Sequence, residues 1–192
     1  MKEFVFLYPI QEYLDGCVGS EAIRRREGWE VCQRFNEIVE ARYRQRGFGV
    51  SWVMFSDPNE HQLPDFSIKA KEIEIKPEDH ILVAGVSFLV HKTLKEYPDP
   101  LGILSQLPSN LERLVIGGFH QNDCVDKLGQ AVYEKGISTV VDEDTTDVFF
   151  ISMRYSLTIP LIRDEFPIEE EVPPTMLYLL KERLSKPWFT QF

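Results

Sequence analysis

Cysteine is scarce in this chain: Cys17, Cys32 and Cys124 are the only three in 192 residues, spaced too widely for a disulfide framework or a zinc-type pair. Free thiols suit a reducing compartment, and no charged segment leads into a long apolar stretch at the start, so a cytoplasmic location is expected. Long uncharged apolar runs are also missing, which predicts no transmembrane helix and no membrane partner. Basic residues are the minority, 21 Lys and Arg against 31 Asp and Glu, and the resulting net charge of −10 argues against nucleic acid as a partner. The densest basic groups, Arg24-Arg25-Arg26 and Arg42, Arg44 and Arg46, alternate with Glu27, Glu30, Glu37 and Glu40 and read as a solvated helix face carrying its own charge pairs. Neither a phosphate loop nor a Gly-x-Gly-x-x-Gly fingerprint occurs, so nucleotide chemistry has no support and no cofactor is expected.

What is present is an ordinary globular composition, 43% hydrophobic, in a length that suits one domain over residues 1–192. Strand and helix patterns alternate, which predicts an α/β three-layer sandwich with a mainly parallel, doubly wound, six-stranded sheet. Strands are expected at Phe4–Tyr8, Gly49–Phe55, Ile81–Ala84, Leu114–Ile116, Ile137–Val141 and Phe149–Tyr155. A long helix is expected from Ser20, as N-cap, to Arg46, with Val31, Phe35, Ile38 and Val39 on its apolar face and Gly47 as its stop. Val86–Tyr97 predicts a second helix, closed by Pro98-Asp99-Pro100 and followed by a short one to Leu107. Ile68–Lys76, where Ile73 and Ile75 alternate with charges, reads as a hairpin or edge strand. From about residue 165 an acidic, proline-bearing loop to Pro174 precedes a short helix over Thr175–Leu184. The aromatic end, Trp188, Phe189 and Phe192, is expected to pack on a neighbouring surface or a second subunit.

The densest chemical signal is Leu114-Val115-Ile116-Gly117-Gly118-Phe119-His120-Gln121-Asn122-Asp123-Cys124-Val125. A buried strand runs into a glycine turn and then into a helix marked by Val125, Leu128 and Val132 and ended by Gly136. Cys124 falls near the start of that helix, where unpaired backbone N–H groups and the helix dipole stabilise a thiolate or an oxyanion. It is the candidate nucleophile, with His120 and Asp123 as candidate acid and base and Gly118, Phe119, Gln121 and Asn122 as candidate substrate-binding residues. Strand exits at Pro9, Asp57, Gly85, Gly118 and Asp142 would share the rim where ligands collect in doubly wound sheets. Asp142, Asp144 and Asp147, with Thr145 and Thr146 between them, read as caps or turn-bonding groups.

This stretch resembles the isochorismatase-like cysteine hydrolases, the superfamily that includes nicotinamidases, whose nucleophile lies in a strand-Gly-x-x-(Thr/Ser)-(Asp/Asn)-x-Cys-Val turn. Gly118 to Cys124-Val125 matches that spacing, with Asn122 at the Asp/Asn position and Gln121 replacing Thr or Ser. The likeness continues through Ala131 and Gly136 to the acidic run at Asp142, covering about residues 111–146. It implies a cis Phe119–His120 peptide and an Asp-Lys-Cys mechanism. The family's Asp is matched here by Pro9, and its Lys by Ala84 or Gly85, with Lys92 the nearest cation. Asp57, Asn59 and His61 are similar to the metal-binding loop of nicotinamidases, with Asn59 at a His position, and no metal is expected. Two functions follow: a divergent small-molecule hydrolase that attacks an amide or related carbonyl through Cys124, or a non-catalytic relative that binds a ligand or forms an oligomer. A small-molecule ligand and a homo-oligomer are the partners expected.

Overall fold

In the computed structural model, which describes residues 1–19, 26–154, 178 and 185–189, five parallel strands form one sheet in the order β3-β2-β1-β4-β5. The strands are β1 (Lys2–Leu7), β2 (Gly49–Ser56), β3 (His80–Ser87), β4 (Arg113–Gly118) and β5 (Ser138–Thr146). Helices α1 (Gln11–Val18), α2 (Arg26–Ile38) and α6 (Asp147–Arg154) cover one face; α3 (Phe88–Leu94), α4 (Pro100–Leu104) and α5 (Asp126–Glu134) cover the other. Both faces of β1 are therefore buried. Phe4 and Phe6 point into the first layer, against Phe35 and Tyr43, while Val5 and Leu7 point into the second, against Leu128 and Ile103. This two-sided burial is why the strands read as continuous apolar runs.

The expected α/β architecture is present with one strand fewer than the six predicted. Phe149–Tyr155 is not a strand: residues 147–154 form α6, and Tyr155 lies outside the described residues. Its Val-Phe-Phe-Ile composition favours a strand locally, but Phe149 and Phe150 fill the space between Phe35 and Phe119, and packing overrides propensity. Ile68–Lys76 is likewise neither hairpin nor edge strand. A 3₁₀ turn over Phe66–Ile68 leads to a single antiparallel bridge between Ile10 and Lys69, and Ile73 is buried in the core.

The long helix expected to end at Gly47 does so, but not as a uniform α-helix. After Ile38 it widens into a π-helix over Val39–Tyr43, tightens to 3₁₀ over Arg44–Arg46, and stops at Gly47 with φ +74°. The widened turn lets the consecutive residues Arg42 and Tyr43 both reach Asp142, one hundred residues away on β5. Arg42 also bonds Asp144 and Arg44 holds Asp79, partners outside the helix, while Arg44 keeps one pair within it, to Glu40 at 3.5 Å; the self-paired solvated face that the spacing suggests is present only in part. Ser20 and the segments Glu165–Pro174 and Thr175–Leu184 lie outside the described residues, apart from Tyr178.

Trp188 and Phe189 pack on the domain itself: the Trp188 indole donates to Asp126 at 2.7 Å, and Phe189 is buried against the α5 face. Among the described residues no helix is long and apolar enough to cross a membrane.

Candidate functional site

β1 and β4 are neighbours, with Leu7 paired to Gly118, so whatever follows β1 meets the turn after β4. Gly118 has φ +118°, and a Cβ there would fall on the Leu7 backbone; a Cβ on Gly117 would fall on Thr145. These two glycines let β4 lie tightly between its neighbours. The structure thus gives Gly118 a packing role. The Phe119–His120 peptide is cis, as the resemblance implies. A π-turn over Gln121–Val125 then runs into α5, so the helix begins at the cysteine turn as the sequence suggests.

Cys124 is buried on the α5 face of the sheet. Its thiol is pushed up to about 12, first by burial and then by the Asp123 carboxylate, while Lys127 and the Tyr8 hydroxyl pull weakly the other way. This is opposite to the depressed value expected of a helix start. The dipole's effect is modest and confined to the first turn, whereas desolvation penalises the thiolate directly and wins.

The group opposite the thiol is Tyr8, the last residue before Pro9. Its backbone has φ +61°, uncommon for a non-glycine residue, and its phenol is wholly buried without a hydrogen bond of ordinary geometry. Burial raises its ionisation well above the usual phenol range, and the Cys124 thiol beside it raises it further. Thiol and phenol are therefore two neutral groups side by side. Pro9 supplies no titratable side chain, and its carbonyl accepts from Ala70 N–H at 2.8 Å. Sequence reasoning passed over Tyr8, whose only signal was its place at the strand exit.

His120 is half-exposed and bonds not to Cys124 but to Asp147, Nδ1 to Oδ2 at 3.0 Å. Burial alone would lower its ionisation, but the Asp147 hydrogen bond and charge prevail and raise it. The other oxygen of Asp147 accepts from Gln121 N–H at 3.2 Å, so one carboxylate holds both the imidazole and the turn. Tyr13 packs on the imidazole with ring centroids 4.5 Å apart. Asp123 is taken by Lys127 at 2.5 Å, four residues on in the same helix.

Among the candidate binding residues, Phe119 is buried in the aromatic core against Phe6 and Phe150. Gln121 is wholly buried, its Oε1 accepting from Thr146 at 3.1 Å, and its Nε2 donates to Asn122. The side chains of Phe119 and Gln121 are thus committed to the scaffold. Lys92 sits on the surface in a 2.7 Å pair with Glu12. Asp57 closes its own loop by accepting from the Asn59 and Glu60 N–H groups. Among the described residues no three His, Cys, Asp or Glu side chains converge as a metal site would require.

No protein-family profile and no curated protein matches this chain. Solved structures do show likeness. An isochorismatase family protein from Burkholderia thailandensis is 17% identical over 76% of this chain and 78% of its own, with a TM-score of 0.48. An isochorismatase-like hydrolase from Alkaliphilus metalliredigens is 13% identical, covering 94% and 81%, at 0.49. The pyrazinamidase of Pyrococcus horikoshii, solved in complex with zinc, is 10% identical, covering 81% and 94%, at 0.47. Likeness of this degree carries no chemistry. The class is defined by the architecture itself: a three-layer α/β domain with a doubly wound parallel sheet and a buried cysteine in the turn after β4.

Proposed function

We propose that this chain is a non-catalytic isochorismatase-like protein that keeps the sheet and the cysteine turn for binding and assembly rather than hydrolysis. The observation that carries this reading is the setting of Cys124, a buried thiol beside the buried Tyr8 phenol, where burial pushes the ionisation of both groups up. Nucleophilic catalysis needs a base within reach of the thiol or a depressed thiol pKa. At the end of β1, Pro9 carries no base. Ala84 and Gly85, inside the last half of β3, carry no cation. The motif from Gly118 to Cys124-Val125 supports the family likeness, and the half-exposed His120 beside Tyr13 offers a polar and aromatic lip to a small-molecule ligand. Assembly into a homo-oligomer belongs to the same reading and is measured by sedimentation.

A hydrolase remains the second reading, favoured by the His120–Asp147 pair, an imidazole oriented by a carboxylate in the manner of an acid–base couple. One experiment separates them: a screen of small amides and esters with the wild-type chain and Cys124→Ala in parallel. The non-catalytic reading expects no difference between the two. Turnover that disappears with the thiol overturns it.

A further inference from the structure

At the opposite end of the sheet from Cys124, where β1, β2 and β4 begin, the sign of the charge reverses. Lys2 and Arg113 open β1 and β4 as register partners, and Arg46 and Phe48 lead into β2. Two adjoining cavities lie here, of about 240 and 280 Å³, sharing Arg42 and Arg46 in their walls. Together they are lined by Lys2, Arg34, Arg42, Arg46 and Arg113 and by the carboxylate of Glu37, with Arg42 already paired to Asp142 and Asp144. In a chain of net charge −10 this grouping runs against the average.

Several acids near it, among the described residues, are engaged. Asp142 and Asp144 are turned onto Arg42, which they fix by bonds of 2.7 and 2.5 Å, and Glu37 accepts from Gln33 at 3.4 Å. Glu112, next to Arg113, pairs with the chain's own N-terminal amine at 3.4 Å. The walls also hold two aromatic rings. Tyr43 is stacked on Phe4 with centroids 4.0 Å apart, and the Lys2 ammonium lies 5.7 Å from the centre of the Phe48 ring. Rigid aromatic walls hold neighbouring cations in place with little loss of side-chain freedom on binding.

We infer that these adjoining cavities form a binding site for a small phosphate-bearing anion, distinct from the cysteine turn. Guanidinium forks match phosphate oxygens in pairs, and convergent cations in a concave wall focus a field that a flat surface would dissipate. The combined space suits a small molecule rather than a polymer. Arg42, already anchored, sets the floor; Arg46, Arg34 and Lys2 at the mouth supply the charge that a ligand would neutralise.

The test is calorimetric titration of the full chain with inorganic pyrophosphate, repeated against sodium chloride at matched ionic strength. Saturable binding is expected with pyrophosphate alone. The double variant Lys2→Glu/Arg46→Glu, confirmed folded by circular dichroism, is expected to bind at least tenfold more weakly. Lys135→Glu, just past α5, changes the charge by two units away from the site, half the change of the double variant, and is expected to bind as wild type. Binding no stronger than the salt control, or equal loss in the Lys135→Glu variant, overturns the site.

Discussion

Replacing Arg42 with Met tests whether the far-reaching pair to Asp142 holds the helix to the sheet. The Asp142 side chain is fully buried and receives two bonds from Arg42 Nη1, at 3.0 and 2.7 Å, plus one from the Tyr43 hydroxyl. Removing one partner of a buried ion pair costs about 3–5 kcal/mol, because the remaining charge is left without compensation. Arg42 is 27% exposed and Tyr43 stays in place, so the lower end applies, about 3 kcal/mol. For a chain of this size that corresponds to a fall in Tm of about 6–12 °C. Urea unfolding followed by circular dichroism measures it. Burial holds the Asp142 carboxyl above its usual range, with Arg42 pulling it down and Asp144 pushing it up. A raised folded value means that the native state binds the proton more readily, so this group favours folding on the acid side and loses that contribution as pH rises through it. Without Arg42 the value rises further, and the penalty at pH 5 should be smaller than at pH 7. Arg42→Met/Asp142→Asn should recover more than half of the loss. A single variant within about 1 kcal/mol of wild type would refute the pairing argument.

Four other outcomes are expected. Alkylation of Cys124, followed by mass spectrometry, should be slow at neutral pH and climb about tenfold per pH unit above pH 8, because only the thiolate reacts; fast labelling at pH 7 contradicts the buried, neutral thiol. The same raised value stabilises the fold below the free-thiol pKa of about 8.5 and is lost as pH rises towards about 12, so Cys124→Ala should flatten the alkaline side of the stability profile. In Asp147→Asn the His120 imidazole should titrate lower by NMR, since the hydrogen bond and charge that raise it are gone; an unchanged titration rules out that pairing. Gly118→Ala should cost about 3 kcal/mol or more, read as lost soluble yield or a lower urea midpoint, because its Cβ would fall on the Leu7 backbone at φ +118°.

Much of the fold was legible because the first five strands are apolar runs ended by visible punctuation. Gly47 and Gly136 stop their helices with φ of +74° and +76°, and the turn from Gly118 to Cys124 lies where the motif puts it. The errors share a cause. Phe149 and Phe150 look like a strand until the space beside Phe35 is known, and Arg42 looks solvated until Asp142 is brought to it from a hundred residues away. The cysteine turn was found, but its electrostatics were not. A helix start argues for a thiolate, and only burial of the sulfur, with the Asp123 carboxylate beside it, reverses the sign. Asp147 could be recognised as a turn-bonding acid, while its hold on His120 depends on how β5 ends beside β4.

The sheet order has a consequence for synthesis on the ribosome. β1, the first strand to emerge, lies at the centre, flanked by β2 and β4. It can pair with β2 about fifty residues later, but its other edge waits for β4, about a hundred residues behind it. At translation rates of about 5–20 residues per second that edge stays open for roughly 5–20 s, an apolar strand with an unpaired ladder of N–H and C=O groups. Slowing translation between β2 and β4 should therefore lengthen the nascent chain's exposure to aggregation and its dependence on chaperones, whereas slowing it after β4 should matter far less.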